Sequence, residues 1–547
     1  MTSLRATLRS PHLRVHGPLA AAAACLLALT ACSGTTGEPA AGQQAPKPID
    51  SFTYGIPTPP SSLDLTKNMN GWTSAVAVMV TQPLERFDSA GQATPVLASK
   101  VTTPTDTSVV YDLRADVKFS DGKPLTAADV VAAVQHATDG AAGAQTASIL
   151  TSIKDVKATG DAQVTVTLAH PDPAIRGSIA FGVLVSEADA MKRAGADYGT
   201  AAGLPVGTGP YVYSSFKADK VELTSNPAYQ GTAPRIKKLT FAGFTADTTA
   251  QLALRSGAVQ ANYVNAPKTT PQWKSIAGAT VYSTPSLLST YLTFDTSKAP
   301  FNDVHARRAV AHLIDRTSLA RVAYGDEAQV MRGMAPDAEF VPLAGSAAAV
   351  TAFMSGLPQV AYDPAAAAKE LALSATPTGF SIDVPYPSSE PFAEPVLLSL
   401  QQAAKPLGIT VNLKPQTFIA WATDIYMFKP APLGVFQIGD LQPDPNGGMA
   451  LMVTKANAAP TKFNMASWTP QEIEPLALTM TQSGDRAARW AAASSILTAA
   501  AEQLPYVPLF APNTVLVYGK GYSSSTPPDF MAFITGAWLD TLTGNAA

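Results

Sequence analysis

Serine, lysine and glycine residues occur at two places with spacings that could support catalysis or phosphate binding. Ser214-Ser-Phe-Lys217 has the S-x-x-K spacing of an acylating serine, but no S-D-N or K-T-G box accompanies it. Gly207-Thr-Gly-Pro begins like a phosphate-binding loop, but the third glycine is absent and proline follows at once. No G-x-S-x-G or H-E-x-x-H motif is present. The sequence therefore predicts no enzyme of these classes.

The histidines and acidic residues form no metal-binding or acid–base pattern. His305 and His312 fall on one predicted helix, two turns apart rather than one, so they would not chelate a metal as a pair. Acidic residues are abundant, but no pair is placed by sequence as an acid and a base. We therefore expect no catalytic residue, no metal site and no cofactor.

Cys32 ends the apolar run of LLALTACSG, where its sulfur could be a buried thiol or an attachment point. Arg5, Arg9 and Arg14 precede the run without an acidic residue, which is typical of a secretory signal peptide. The run is shorter than the roughly 20 apolar residues of a membrane helix. Leu29-Thr30-Ala31-Cys32 resembles the bacterial lipobox, whose cysteine is acylated on sulfur. We expect a signal peptide over 1–31, a lipid anchor on Cys32 and a flexible tether over 32–49; an ordinary cleaved signal with an incidental cysteine is the alternative.

Composition excludes several further classes of protein. The 547 residues contain two cysteines, Cys25 and Cys32, and both lie in or beside the signal, so neither a disulfide framework nor a cysteine metal site is expected. A net charge of −3 is not that of a nucleic-acid binder. With 46% hydrophobic and 14% charged residues, the chain can bury large cores, and its length favours two or more lobes.

Strands and helices mix irregularly along the rest of the chain. Thr126 stands where a helix N-cap is expected, with Asp129 three positions on, near a capping box. Residues 395–416 indicate a helix, a turn at Gly408 and a strand, the alternation of a mostly parallel α/β sheet. The patterns predict strands over 50–56, 109–120, 162–170 and 290–297, and helices over 126–138, 247–257, 304–315 and 485–504.

Five segments, in their order along the chain, resemble family 5 of the extracellular solute-binding proteins, the peptide-binding lipoproteins of ABC importers. The segment YDLRADVKFSDGKPLTAADV, residues 111–130, matches the best-known signature of that family. The others are residues 84–99, 207–213 with 224–231, 292–316 and 504–510. Two departures, at Gln230 and at Gly257-Ala-Val-Gln260, fall at positions that we interpret as structural.

The resemblance implies an α/β, periplasmic-binding-protein-like fold of two lobes joined by a hinge, with an extra domain inserted in lobe one. The chain would cross between the lobes near 291–296 and 506–512, and the lobes would close around a ligand. The expected divisions are lobe one over 50–289 with the insert at about 86–215, lobe two over 290–505, and a return to lobe one over 506–547.

The resemblance also implies where a peptide would bind. In peptide-binding members an aspartate after glycine or alanine receives the ligand's α-ammonium group, and the matching segment VFQIGDLQPDPNGG offers Gly439 and Asp440. A fixed carboxylate makes a buried ammonium tolerable. The loop is one residue longer than usual before Asp444, which leaves Asp440 and Asp444 as alternatives. Composition alone favours a surface turn for this segment.

Four further positions are implied less directly. Trp421 falls where relatives place an aromatic side chain of the pocket wall, although a tryptophan on a strand is more often core. Gln437 replaces a tryptophan that many relatives carry. Asn70-Gly71-Trp72 falls where lobe one offers main-chain hydrogen bonds to an extended peptide. Lys429 could meet a ligand carboxylate, but a solvated lysine is the simpler interpretation.

The sequence therefore predicts an extracytoplasmic, lipid-anchored binding protein that is not an enzyme and that captures di- or oligopeptides reversibly for delivery to a membrane permease. We expect a monomer with a peptide ligand, ABC permease subunits and the membrane as partners, and no nucleic acid. One alternative is the same fold binding a nickel complex, haem, an opine or a sugar. The other is a lipoprotein that regulates cell-envelope metabolism without transport.

Overall fold

The computed structural model describes residues 47–88, 90–390, 392–426, 431–440, 442–460 and 462–544. The predicted signal peptide, the lipid anchor Cys32, Lys429 and most of the predicted tether lie outside the described residues. No single helix in the described ranges is long and apolar enough to cross a membrane, and one sharply bent pair, 337–344 with 347–356, passes a test of length and composition only.

Twenty strands occur in the described part of the chain. They are β1 Ile49–Ile56, β2 Glu85–Phe87, β3 Ala93–Pro95, β4 Ala98–Thr105, β5 Ser108–Leu113, β6 Ile153–Gly160, β7 Gln163–Leu168, β8 Tyr211–Phe216, β9 Lys220–Ser225, β10 Ile236–Gly243, β11 Ala261–Tyr263, β12 Thr280–Pro285, β13 Leu288–Phe294, β14 Ala328–Val330, β15 Ser381–Pro387, β16 Thr410–Gln416, β17 Leu433–Gly439, β18 Tyr506–Tyr518, β19 Tyr522–Ser524 and β20 Leu542–Gly544.

The helices described by the structure are α1 Gly71–Ala77, α2 Ala127–Thr138, α3 Ile175–Gly182, α4 Ala188–Ala194, α5 Asp247–Ser256, α6 Thr270–Lys274, α7 Val304–Ala311, α8 Arg316–Tyr324, α9 Val341–Ala344, α10 Ala347–Gly356, α11 Pro364–Leu373, α12 Ala393–Ala404, α13 Phe418–Tyr426, α14 Gly448–Val453, α15 Ile473–Gln482, α16 Arg486–Gln503, α17 Phe530–Ile534 and α18 Trp538–Thr541. Short 3-10 helices span Gln145–Ile149, Gly195–Asp197, Pro267–Thr269, Asp337–Phe340, Lys405–Leu407 and Lys455–Asn457.

One ten-stranded sheet runs through the molecule in the order β17-β13-β18-β11-β1-β10-β9-β8, and β12 and β14 also pair with β18. Within this sheet β1 is parallel to β10 and β11, and the other pairs are antiparallel. The predicted mostly parallel sheet is therefore wrong for the main sheet; it holds for the separate pair β15–β16. Period-two alternation reports which face is buried, not the direction of the neighbouring strand.

The apolar side chains gather into separate cores, which define the names used below. Lobe one is the body around the core that contains Phe52 and Phe241, and lobe two is the body around the core that contains Phe294 and Leu400. A second core of lobe two contains Trp468. The inserted domain is the body around the four-stranded sheet β4-β5-β7-β6 and α2, between residues 84 and 185.

Strand β18 belongs to both lobes, because its first half packs in lobe two and its second half in lobe one. Val507 and Phe510 lie in the lobe-two core, whereas Leu516 and Tyr518 lie in the lobe-one core. The second connection lies between β12 and β13, and there Ser286 Oγ donates a hydrogen bond of 2.6 Å to the carbonyl of Pro512 on β18. The two connections between the lobes therefore touch each other.

Helix α2 begins at the predicted position. Thr126 is its N-cap, and with Asp129 it completes a capping box. Asp129 is buried, and its Oδ2 accepts hydrogen bonds from the Thr126 backbone N–H and hydroxyl at 2.9 and 2.6 Å. Its Oδ1 accepts from the backbone N–H of Ala188, at 2.9 Å, at the start of α4. One carboxylate thus satisfies donors at the start of two helices.

We expect Asp129→Ala to lower the free energy of unfolding by roughly 2–3 kcal/mol, because it removes a cap and leaves a buried N–H without an acceptor. Denaturant unfolding checks this, with Asp106→Ala as the control because Asp106 is exposed in the same domain. An Asp129→Ala midpoint equal to that of the control would contradict the assigned role.

Candidate ligand-binding site

Two cavities meet at the C-terminal end of β17. The larger, of about 440 Å³, lies between lobe one and lobe two and passes the connections between them. The smaller, of about 250 Å³, lies between the inserted domain and lobe two. Gly439 and Asp440 line both cavities. The larger volume is within the range of small-molecule binding sites.

Asp440 is held at this junction by its backbone and its carboxylate. Its backbone N–H donates to the carbonyl of Leu287, at 3.1 Å, in the connection between the lobes. Its side chain is 7% exposed, and Oδ1 accepts a hydrogen bond from the backbone N–H of Gly448 at the start of α14. A Cβ atom at Gly447 would overlap the Asp440 carboxylate, so only glycine fits there.

Glu339 lies against Asp440 and has no other polar partner in the described structure. It is 1% exposed, and neither of its carboxylate oxygens accepts a hydrogen bond from an N–H or O–H group of the described residues. Burial, reinforced by Asp440, raises the pKa of Glu339 well above its usual value. Burial also raises the pKa of Asp440 to about 6. Burial thus favours the protonated form of Glu339 more strongly than that of Asp440.

Asp444 differs from Asp440 because it already has a cation. The Arg489 guanidinium donates to Asp444 Oδ1 at 2.5 Å and to the Met480 carbonyl at 2.6 Å. Arg489 is 5% exposed, so this ion pair is internal. No ion pair to Asp440 occurs among the described side chains. Of the two aspartates that the sequence leaves open, Asp440 is the one whose charge is uncompensated.

Aromatic side chains form the lobe-one side of the larger cavity. Trp72 and Tyr263 contact each other edge to face, with ring centroids 4.5 Å apart, and Phe530 lies beside Tyr263. On the lobe-two side, Gln437 Nε2 donates to Thr290 Oγ1 at 2.8 Å and to the Tyr324 hydroxyl at 3.1 Å. The glutamine that replaces an expected tryptophan is thus fixed by hydrogen bonds and lines the cavity.

The structure brings together only some of the predicted site residues. Gly439, Asp440 and Trp72 line the larger cavity, whereas Asn70 and Gly71 do not. Asn70 caps α1, since its side chain accepts from the backbone N–H of Thr73 at 2.9 Å. This segment starts a helix rather than a strand, and the expected main-chain hydrogen bonds from it to an extended peptide stay a prediction. The Asx-type cap competes successfully with extended structure here.

Trp421 also lies away from both cavities. It stands on helix α13, and the prediction of a strand at this position is wrong. Its ring lies 5.8 Å from that of Phe418, one helical turn earlier. Neither cavity lining contains Trp421, so it does not serve as a wall of these cavities.

The loop after β17 reaches across the smaller cavity to the inserted domain. Asn446 Nδ2 donates to Asp172 Oδ1 at 2.9 Å, and Gln442 Nε2 donates to the Ala174 carbonyl at 3.3 Å. The Gln442 side chain lies over Gly177 of α3, where a Cβ atom would overlap its amide. We call these contacts the latch, because they join lobe two to the inserted domain directly.

A model of the bacterial extracellular solute-binding proteins, family 5, matches residues 92–460. The chain belongs to that family. It is therefore an extracytoplasmic solute-binding protein, the substrate-binding component of an ABC importer.

Relatives of this family 5 protein are similar over most of its length. The glutathione-binding protein GsiB of Shigella boydii is 24% identical over 486 residues, which cover 86% of this chain and 88% of GsiB. The structure of DppA from Helicobacter pylori with the peptide STSA has a TM-score of 0.76 at 19% identity, covering 89% of this chain and 98% of DppA. That of AgaA from Agrobacterium tumefaciens R10 with agropinic acid has a TM-score of 0.74 at 19% identity, covering 91% and 99%. These likenesses confirm the predicted two-lobe α/β fold.

Several residues that line or support the two cavities escaped the sequence analysis. Glu339 and Glu390 carry no local signal, since single glutamates are common at surfaces. Asp172 lies in the segment HPDPA, residues 170–174, whose composition predicts only a turn. Arg489 did leave a signal: it falls on the buried stripe of α16 with Ala492 and Ile496, and a charge on an apolar stripe requires a partner. In the described ranges, no group of three or more His, Cys, Asp and Glu side chains could hold a metal ion.

The uncompensated charge predicts a gain of stability on its removal. Folding raises the pKa of Asp440 from 3.8 to about 6, so the cost of ionising it appears as the pH rises through this interval. We expect Asp440→Asn to raise the free energy of unfolding of the ligand-free protein by about 1–3 kcal/mol at pH 7.5, and to change it little at pH 4. Denaturant titrations at both pH values measure this. The control is Asp383→Asn, whose side chain is exposed; an Asp440→Asn variant less stable than the control at pH 7.5 would contradict the assignment.

The latch predicts a conformational effect at Gly177. A valine there occupies the space of the Gln442 side chain and disfavours contact between lobe two and the inserted domain. We expect Gly177→Val to increase the radius of gyration of the ligand-free protein in small-angle scattering. Gly356→Val is the matched control, because a Cβ atom at this helical glycine meets nothing within 4 Å. Equal radii for both variants would show that the latch does not hold the lobes.

Proposed function

We propose that the protein captures di- or oligopeptides reversibly, by closing its two lobes on a ligand whose α-ammonium group pairs with Asp440, and delivers them to a membrane permease. One observation carries this proposal: a buried carboxylate without a cation lies where two cavities meet. A ligand ammonium supplies the missing charge. A charge-assisted hydrogen bond of this kind is worth on the order of 1.5–3 kcal/mol.

The position of Asp440 supports coupling between binding and closure. Its carboxylate belongs to lobe two, its backbone contacts the connection at Leu287, and the cavity it lines has Trp72 and Tyr263 of lobe one on the other side. A ligand bound to Asp440 and packed on these rings touches both lobes. Such a ligand favours the closed state by its extra contacts there.

The relatives differ in their solutes, and one similar structure, NikZ from Campylobacter jejuni, was solved with Ni(L-His). DppA was solved with a peptide and GsiB is named for glutathione, both of which carry an α-ammonium group, and AgaA was solved with agropinic acid. The carboxylate at Asp440 favours an amine-bearing ligand among these classes. No covalent step enters the proposal. A role in regulating cell-envelope metabolism is the alternative if no solute is found.

Further parts of the proposal concern the rest of the chain. Cys32 would be acylated after removal of residues 1–31, and the following tether would hold the binding lobes near the permease. The proposed lobe boundaries are 50–289 for lobe one and 290–505 for lobe two, with 506–547 beginning on the lobe-two half of β18 and then returning to lobe one, and with one protomer per receptor. The mass of the purified N-terminal peptide tests the lipid directly: an unmodified Cys32 in membrane-extracted protein would remove the anchor from the proposal.

Native mass spectrometry of the protein purified from its own cells tests the ligand. We expect a mass increase that dissociates as peptide ions from the parent protein and from Asp383→Asn, and its loss from Asp440→Asn, because the carboxylate that holds the amine is gone. Recovery of only sugars or metal chelates would overturn the peptide proposal. Equal peptide retention by Asp440→Asn would remove Asp440 from the site.

The pKa of Asp440 predicts how binding depends on pH. Amine ligands need the ionised carboxylate, so below pH 6 binding must displace a proton. We expect the affinity to fall about tenfold per pH unit below pH 6 and to level off above it. Calorimetric titration from pH 4.5 to pH 8 with a recovered peptide measures this. An affinity that rises as the pH falls would contradict binding through an ionised Asp440.

A further inference from the structure

Among the described residues, those that line the two cavities include acidic side chains but none of the cationic side chains that a carboxylate ligand would need. Asp440, Glu390 and Asp172 line them, and the described lining residues include no lysine and no arginine. The one histidine is His170 in the smaller cavity, whose Nδ1 lies 3.0 Å from the Pro171 carbonyl. A carbonyl accepts only, so the Nδ1 proton is directed at the backbone.

Glu390 is the second acid of the larger cavity. It is half-buried on the lobe-two side, close enough to Tyr324 for its charge to act on the phenol. No ion pair to Glu390 occurs among the described side chains. Burial raises its pKa. Its environment resembles that of Asp440, in that a carboxylate faces the cavity without a cation beside it.

The other walls of this cavity suit a cation as well. Trp72, Tyr263 and Phe530 present aromatic rings, and the faces of such rings attract ammonium and guanidinium groups. An anionic group in the same space would be desolvated beside Asp440 and Glu390 without a side-chain cation, which is unfavourable. The charge of the cavity therefore selects against acidic ligands.

We propose that the natural ligand carries a net positive charge, with a second ammonium or guanidinium group in addition to the one that pairs with Asp440, and that Glu390 receives this second group. The inference rests on the proposed function, since it concerns the same cavity. The described residues include no cluster that could bind a bare metal ion, so the cation is organic. A peptide with a basic side chain and an oligoamine share this chemistry.

Calorimetric titration of the mature protein with four probes at pH 7.5 tests the inference. The probes are the tripeptides Ala-Ala-Ala, Ala-Lys-Ala and Ala-Glu-Ala, and spermidine. We expect Ala-Lys-Ala to bind at least about tenfold more tightly than Ala-Ala-Ala, and Ala-Glu-Ala to bind most weakly of the three peptides. The variant Glu390→Gln should lose most of the preference for lysine, measured as the ratio of its affinities for Ala-Lys-Ala and Ala-Ala-Ala. Glu472→Gln is the matched control, because Glu472 is an exposed carboxylate of lobe two outside both cavities.

The outcomes separate this inference from the proposed function. Equal affinity for the lysine and alanine peptides, or a lysine preference that survives in Glu390→Gln, overturns the inference and leaves peptide binding intact. Spermidine binding with no tripeptide binding supports a cationic ligand and overturns the peptide proposal. Absence of binding by all four probes to folded protein overturns both.

Discussion

A buried carboxylate is stabilised by a proton, a cation or a ligand. At the centre of this structure, Asp440 is a buried carboxylate without a cation among the described side chains. Burial favours the protonated form of Glu339, and Asp444 pairs with Arg489. Asp440 accepts a hydrogen bond from the backbone N–H of Gly448 but has no cation beside it in the described part of the chain. Desolvation makes such a charge expensive to maintain. Proteins that keep uncompensated charges inside a cavity generally do so for function rather than for stability.

Strand pairing and hydrogen bonds link Asp440 to both connections between the lobes. Asp440 follows β17, which pairs with β13, and β13 pairs with β18, the strand shared by both lobes. The backbone of Asp440 contacts Leu287, and Ser286 next to it contacts Pro512 of β18. The charged group therefore lies beside the place where both connections between the lobes meet. A change in how Asp440 is paired reaches the hinge over one or two hydrogen bonds, without a long chain of intermediates.

Local patterns predicted the elements well where each side chain acts on its own backbone. Thr126 and Asp129 marked the start of α2, and Gly257 ends α5 in the left-handed conformation that glycine favours. The local patterns failed where a contact between residues distant in the sequence determines where an element ends or how it pairs. Residues 109–120 alternate as one strand, yet β5 ends at Leu113, and the backbone N–H of the next residue, Arg114, donates to the carbonyl of Leu97 at 3.0 Å. Strand direction in the main sheet was not encoded in alternation, and Trp421 lies on a helix although its segment is as apolar as a strand.

The candidate site likewise combines residues that the sequence predicted and residues whose role depends on distant contacts. Family resemblance led to Gly439 and Asp440, but the choice between Asp440 and Asp444 depended on Arg489, some forty-five residues further along the chain. Glu339 and Glu390 could not be found from sequence, because what distinguishes them is that no described cationic side chain pairs with them, and such an absence in three dimensions has no local sequence pattern. Trp72 was found in a segment whose other members, Asn70 and Gly71, shape a helix cap.

The charge of Asp440 affects closure of the two lobes, because closure removes water from around the carboxylate. Bringing lobe one over Asp440 replaces water with the rings of Trp72 and Tyr263, which lowers the local polarity around an ionised group. In the empty protein this desolvation opposes closure, whereas a ligand cation removes the opposition by neutralising the charge. Closure is then favoured by the ligand's charge as well as by its contacts, and a neutral molecule of equal size would gain only the contacts. Under the proposed function, the acid near the hinge makes the shape of the protein depend on the charge of its ligand.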